Sequence, residues 1–281
     1  MIPNQPAAYG VTKVTAAENP LEILAEEVLR RGYVVTDSGL SAEDIARYRE
    51  QLDAVYAVQQ QEIGGEENMQ RINDANVARC LLAYDDVFLT MAANPVLLGV
   101  AERILGANFV LLMQNGVINP PATKHYQINW HRDLNYQHWV CSRPLALSAL
   151  FCLDPFSRET GGTYILAGTH LKEDFPSDAF VRRHEEVIEA PPGSLILFDA
   201  MMFHRAGHNT SGIIRRAVNH VVGMPILGQQ ISMPDMLQGR FSDDPFLARY
   251  LGYRWNPRAG VRSWRMQRLR DADETRQRKG A

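Results

Sequence analysis

The chain carries His131 and Asp133 within Gln127-Ile128-Asn129-Trp130-His131-Arg132-Asp133, a further histidine at His204, and Arg215 eleven residues beyond it. Two imidazoles and one carboxylate can occupy one face of an octahedral divalent iron and leave the opposite face open, which is the ligand set of non-haem iron oxygenases. Any fold compatible with this set must bring position 204 to within a few ångströms of positions 131 and 133. That requirement favours a closed β architecture, in which inward-facing side chains converge on one cavity.

Around His131 the residues alternate in polarity, as expected of a strand, where positions two apart face the same side. On that pattern Gln127, Asn129, His131 and Asp133 all point inward. Ser194-Leu195-Ile196-Leu197-Phe198-Asp199 reads as a strand that runs into the segment carrying His204, and Arg215 to Val222 reads as the next strand. A guanidinium at Arg215 offers a fixed fork of donors to a carboxylate, and strand alternation turns Arg216 to the opposite face. In a chain with eight histidines, an isolated His-x-Asp is more often structural than metal-binding. The coincidence of strand context, a second histidine after Pro192-Gly193, and the downstream arginine is what gives the pair its meaning.

These residues also resemble the phytanoyl-CoA dioxygenase family of iron(II)- and 2-oxoglutarate-dependent oxygenases. The resemblance covers roughly residues 109–222. It rests on His131-Arg132-Asp133-Leu134-Asn135-Tyr136, on Gly161-Gly162-Thr163-Tyr164-Ile165-Leu166-Ala167-Gly168-Thr169-His170, on Pro192 to Phe198, and on His204-Arg205-Ala206-Gly207-His208-Asn209 with Arg215. It implies an α+β chain with a double-stranded β-helix core, the jelly-roll of cupin type, buttressed by N-terminal helices. It further implies that His131, Asp133 and His204 bind Fe(II), that Arg215 binds the distal carboxylate of the cosubstrate 2-oxoglutarate, and that O2 is the second cosubstrate. Thr163, after the double glycine, is a candidate to hold 2-oxoglutarate, as are Gln127 and Asn129 from the inward face of the metal segment.

The departures are informative too. Ala206 stands where family members often carry a serine, which removes one possible hydroxyl from the cosubstrate site, and Ala167 replaces a usual proline. Asp133 is present where related halogenases have glycine or alanine, so no coordination position is vacated for chloride and hydroxylation is the expected outcome. Tyr136, His138 and Trp139 follow the metal motif and are candidates to line the substrate mouth. His125, His170, His208 and His220 are expected to be structural, since a fourth histidine ligand would block the positions that 2-oxoglutarate and oxygen require.

Composition narrows the remaining classes. Of 281 residues, 46% are hydrophobic and 22% charged, which suits a globular chain with a sizeable core. The net charge of −3 offers nucleic acid no electrostatic footing. Cys80, Cys141 and Cys152 lack zinc-like spacing, which points to a reducing compartment with the cytoplasm as default. The first ten residues do not read as a signal peptide, and no apolar run approaches the roughly 20 residues of a membrane span. The expected partner is a small molecule, not a membrane.

Residues 1–17 read as weakly ordered. Asn19-Pro20 opens a helix to Arg31 that Gly32 stops; Tyr33–Thr36 reads as a short strand; and Ser41 to Asp44 resembles a capping box for a helix to about Gln60, followed by a polar loop over 59–68. Helices fit Asp86–Ala93 and Pro95–Leu105. From Phe109 the signals change to strands, so the whole is expected to be one oxygenase domain spanning 1–281. The Arg-rich end, from about residue 265, reads as a solvated or frayed tail.

The expected reaction is oxidation of an aliphatic C–H of a small, natural-product-like substrate with release of succinate and CO2. An acyl-CoA substrate for the same chemistry is the nearest alternative, disfavoured because no basic cluster awaits the phosphates of coenzyme A. A zinc hydrolase could use the same three ligands but has no need of Arg215, and a cupin-like binding protein would keep the barrel without turnover.

Overall fold

The computed structural model describes residues 19–122, 126–134, 140–258 and 260–280. The chain opens with α1 (Pro20–Arg31), β1 (Tyr33–Asp37) and α2 (Ala42–Glu62). Asn19 caps α1 by accepting from the Leu21 amide, Pro20 occupies the first turn, and Gly32 ends the helix at φ 93°. Ser41 and Asp44 form the reciprocal capping box of α2. The polar stretch 59–68 is not a loop throughout: α2 continues to Glu62 and α3 (Glu66–Arg71) follows a two-glycine turn. Then come β2 (Val77–Arg79), α4 (Leu81–Tyr84), α5 (Phe88–Ala92) and α6 (Pro95–Leu105). Phe88–Leu105 is apolar and long enough to cross a membrane, but it is half buried in the core, and Asn94 caps α6 within it.

The β-rich part comprises β3 (Val110–Asn119), β4 (Ala146–Cys152), β5 (Thr163–Ile165), α7 (Asp178–His184), β6 (Glu186–Val187), β7 (Ser194–Asp199), β8 (His204–Ala206) and β9 (Arg215–Gly223). α8 (Met233–Leu237), α9 (Pro245–Tyr250) and α10 (Val261–Gly280) complete the described chain. The Arg-rich end is thus helical, with Val261, Trp264 and Leu269 exposed.

All strand pairs are antiparallel. A six-stranded sheet runs β1-β7-β4-β9-β3-β2, and a three-stranded sheet runs β6-β5-β8. This is the double-stranded β-helix in which two sheets enclose a cavity.

The larger sheet is buried on both faces, and alternation sorts its side chains. Leu147, Ala149 and Phe151 of β4, Leu195 and Leu197 of β7, and Val218 of β9 join the helices in the principal core. Leu150, Cys152, Ile196, Phe198 and Ala217 turn the other way, toward the smaller sheet. Gly116 of β3 lets α2 approach: a Cβ there would lie 2.0 Å from Cδ1 of Leu52. The helices therefore back one wall of the barrel and leave its mouth free.

Candidate active site

The segment that carries the metal motif is not a strand. Tyr126–Ile128 is a 3₁₀ turn, and of the residues expected to alternate along a strand only His131 makes ladder-type contact, an isolated antiparallel bridge to His204. Its amide donates to the His204 carbonyl, and the His204 amide donates back, both at 3.0 Å. His131 thereby extends the smaller sheet beyond β8 by one residue. The polar alternation reflects a turn that presents Gln127, Asn129, His131 and Asp133 to the cavity, not the extended backbone that the same periodicity predicts.

The imidazoles of His131 and His204 and the carboxylate of Asp133 present one ligand atom each within 4.8 Å of one another, with His204 Nε2 3.4 Å from Asp133 Oδ1. Both rings are held alike: Nδ1 of His131 donates to the Asn129 carbonyl at 2.8 Å, and Nδ1 of His204 to the Met202 carbonyl at 3.0 Å. Each Nδ1 thus carries its proton, and each Nε2 lone pair is left for a metal. The Asp133 carboxylate is tied by one oxygen only. Oδ2 accepts from Ser148 Oγ at 2.6 Å and from Asn219 Nδ2 at 3.1 Å, so Oδ1 faces the histidines.

The electrostatics match a cation site. Burial would raise the Asp133 pKa, but His204, His131 and the Ser148 hydroxyl outweigh it and hold the carboxyl well below the usual range. Burial and the neighbouring His204 push His131 down to about 4, so it is neutral near pH 7. Burial opposes the His204 cation too, yet Asp133 beside it leaves its pKa raised. A divalent ion between the three would take the place of that proton.

Arg215 opens β9, is 2% exposed, and points to the cavity interior. Among the described residues it forms no ion pair. Nη2 donates to the Gly161 carbonyl at 2.9 Å, its guanidinium carbon lies 4.6 Å from the centre of the Phe156 ring, and the buried Nε has no partner. Burial without a bonded anion pulls its pKa down to about 10. A buried guanidinium with an unmet donor is costly unless a carboxylate joins it, so the site fits the far end of a dicarboxylate. Arg216 faces outward, as alternation requires, and pairs with Asp53 of α2 at 2.7 Å and with Asp154.

Arg215, His131, Asp133 and His204 line one cavity, with Gln127 and Thr163 on its wall. Thr163 sits directly opposite Ala206 in the β5–β8 pair, so a hydroxyl stands across the ladder from the position where Ala206 lacks one. Asn129 lines instead the wider outer cleft. Tyr136, His138, Trp139 and His125 lie outside the described residues. His170 and His220 are buried away from the ligands, against α1 and Gln114 respectively.

Several site residues escaped sequence reasoning. Ser148 and Asn219 hold Asp133 from strands 15 and 86 positions away, and neither carries a local signal. The buried guanidinium of Arg132 donates to the carbonyls of Met201, Thr169, Lys172 and Glu173 and lies 4.0 Å from the centre of the Phe203 ring.

Comparison with known proteins agrees with this geometry. The phytanoyl-CoA dioxygenase model matches residues 28–217. An uncharacterized protein of Mycobacterium bovis is 30% identical over 207 residues, which are 71% of this chain and 74% of that protein. The dioxygenase olcK of Penicillium canescens is 24% identical over 96% of this chain and 91% of its own. Among solved structures, EctD from S. alaskensis, determined with 2-oxoglutarate and 5-hydroxyectoine, superposes with a TM-score of 0.60 at 22% identity, covering 72% of this chain and 75% of EctD. SnoN, a non-heme alpha ketoglutarate dependent epimerase from nogalamycin biosynthesis, superposes at 0.56 and 18% identity, covering 73% and 81%. The chain belongs to the phytanoyl-CoA dioxygenase family and is a non-haem iron(II)- and 2-oxoglutarate-dependent oxygenase.

Proposed function

We propose that His131, Asp133 and His204 hold the iron, that Arg215 anchors the distal carboxylate of 2-oxoglutarate, and that the enzyme hydroxylates an aliphatic C–H of a small, natural-product-like substrate. The observation that carries this reading is the buried guanidinium of Arg215, which has no anionic partner among the described residues and shares a cavity with a two-histidine, one-carboxylate cluster. A zinc hydrolase would have no use for that cation. The small-molecule class is in keeping with EctD, determined with 5-hydroxyectoine, and with SnoN from nogalamycin biosynthesis. SnoN is an epimerase, so the fold itself does not choose the outcome.

Iron(II) with 2-oxoglutarate supplies the oxidative chemistry: O2 is consumed, 2-oxoglutarate leaves as succinate and CO2, and one oxygen atom is available to the substrate carbon. The chain contributes position and dryness. The backbone carbonyls of Asn129 and Met202 fix the tautomer and orientation of the two rings. Ser148 and Asn219 stop the Asp133 carboxylate from rotating, which keeps the carboxyl ionised and leaves Oδ1 beside the two imidazoles, where it would hold the metal. Arg215, on the wall of the same cavity, sets the register of the cosubstrate, and Leu150 and Phe198 exclude water beside it.

Anaerobic titration tests the reading. The wild-type protein should develop a weak visible charge-transfer band only when both iron(II) and 2-oxoglutarate are present. Asp133→Ala should abolish the band while the circular dichroism spectrum stays native, because Asp133 sits at a cavity and not in the packed core. A wild-type protein without the band, or a variant that retains full hydroxylase activity, would overturn the assignment.

A further inference from the structure

Beyond the metal ligands, one row of polar side chains crosses three strands at a single register. Arg79 of β2 pairs with Asn115 of β3, and Asn115 pairs with Asn219 of β9. All three line the outer cleft, so the row leads from the cleft wall to the carboxamide that holds Asp133. Cross-strand neighbours on one face lie about 5 Å apart, which makes the row a continuous polar wall. Asp74 pairs with Arg79 at its outer end, which offsets the charge there. The apolar members of the described cleft are Met113 and Val117 alone, set on β3 to either side of Asn115.

Asn219 is the informative member. Its Nδ2 is committed to Asp133, which leaves Oδ1 as a buried acceptor with no partner. An unmet buried carbonyl oxygen is costly, so the site calls for a donor. 2-Oxoglutarate cannot be that donor at neutral pH, since a dianionic oxo-acid carries no O–H or N–H. Asn219 also lies on the walls of both the inner cavity and the outer cleft, where a substrate would approach the metal.

We infer that the Arg79–Asn115–Asn219 row is the substrate-recognition wall, and that it selects a compact polar substrate bearing a hydroxyl or amine N–H close to the carbon oxidised, which donates to Asn219 Oδ1. This rests on the iron and 2-oxoglutarate reading above. A long acyl thioester fits the wall poorly: its chain would be laid against carboxamides, and the cleft offers the paired Arg79 to its phosphates. Selection by a buried hydrogen bond is sharp, because an analogue lacking the donor leaves the acceptor unpaired.

The test uses the full-length iron-loaded protein and a panel of hydroxy- and amino-substituted aliphatic compounds of four to ten carbons. Each is paired with its O-methyl or N,N-dimethyl counterpart, and octanoyl-coenzyme A represents the thioester class. Substrate-triggered succinate formation is read for wild type and Asn219→Ala, together with the anaerobic charge-transfer band. At least one donor-bearing probe should trigger turnover, with its capped counterpart at least about tenfold weaker in kcat/KM. Asn219→Ala should lower turnover of both probes, since Asp133 loses a hydrogen bond, but should bring the ratio of their kcat/KM values close to one; a ratio that stays at the wild-type value would overturn the inference. Capped probes as effective as their parents, octanoyl-coenzyme A as the best trigger, or a normal band with no response from any donor-bearing probe would each overturn the inference and leave the cosubstrate reading standing. Loss of the band in wild type would instead overturn the reading on which the inference rests.

Discussion

At the scale of single residues, adjacent arginines on β9 have opposite duties. Arg215 makes one hydrogen bond to protein and keeps an unmet Nε, whereas Arg216 is spent on Asp53 and Asp154. Arg215→Ala should therefore raise the 2-oxoglutarate requirement by the equivalent of about 2–5 kcal/mol, read from succinate formation against cosubstrate concentration, while costing the ligand-free fold little. Arg215→Lys should recover only part, because an ammonium cannot reproduce the planar fork. Arg216→Ala should show the reverse: a loss of roughly 1–2 kcal/mol in urea denaturation with the cosubstrate requirement unchanged. Arg132 belongs to a third kind. It stands between His131 and Asp133 and gathers the turn before His204 together with the loop at 169–173, so Arg132→Met should weaken iron(II) affinity in a chelator competition by more than its effect on ligand-free stability accounts for.

At the scale of elements, close backbone approach couples the barrel turns to the Arg215 end of the cavity. Gly161 sits at φ +73°, where a Cβ would meet Asn119 Nδ2 at 2.5 Å and the Gly207 carbonyl at 2.6 Å, and its own carbonyl accepts from Arg215. Gly161→Ala should shift that carbonyl, strain the turn by about 1–3 kcal/mol, and raise the 2-oxoglutarate requirement as well as lower stability. Gly116→Ala makes a useful contrast. It should push α2 off β3 through Leu52 and destabilise the protein by a similar 1–3 kcal/mol, but with the cosubstrate requirement intact, since that face of β3 looks toward the helices.

At the scale of the whole molecule, buried histidines set the acid limit of the metal-free protein. Burial lowers His220 to about 3 and His131 to about 4, against 6.5 for the free side chain. As pH falls below 6.5 the unfolded chain takes up protons that the folded chain refuses, so stability declines between pH 6.5 and 4, by up to about 1.4 kcal/mol per pH unit for each group. His204 works in the opposite sense: its raised pKa contributes stability that is complete below 6.5 and lost as pH rises through the folded value. Urea denaturation of metal-free His220→Gln should give a shallower decline from pH 6.5 to 4 than wild type. An unchanged slope would show that His220 is not the group responsible.

How much of this was legible in the sequence follows from the range of each interaction. α1 and α2 were readable because their caps are local: Asn19, Pro20, Gly32, Ser41 and Asp44 act within four residues of the helix ends they define. That His204 and Arg215 come to one cavity with His131 and Asp133 was legible because β7 is a continuous apolar run leading toward His204 and β9 alternates from Arg215 onward. The segment around His131 misled because a 3₁₀ turn and a single bridge can present the same polar face as a strand, and only the pairing with His204 decides the backbone. Ser148, Asn219 and the role of Arg132 were invisible for a different reason. Each acts on a partner brought close by the sheet order β7-β4-β9-β3 or by loops that fold over it, and sequence spacing carries no record of that proximity. Residue types and local periodicity thus determined which chemistry the chain holds and most of the elements that hold it. Strand pairing alone decided which side chains stand behind the ligands, because hydrogen bonds across a sheet depend on register between distant segments.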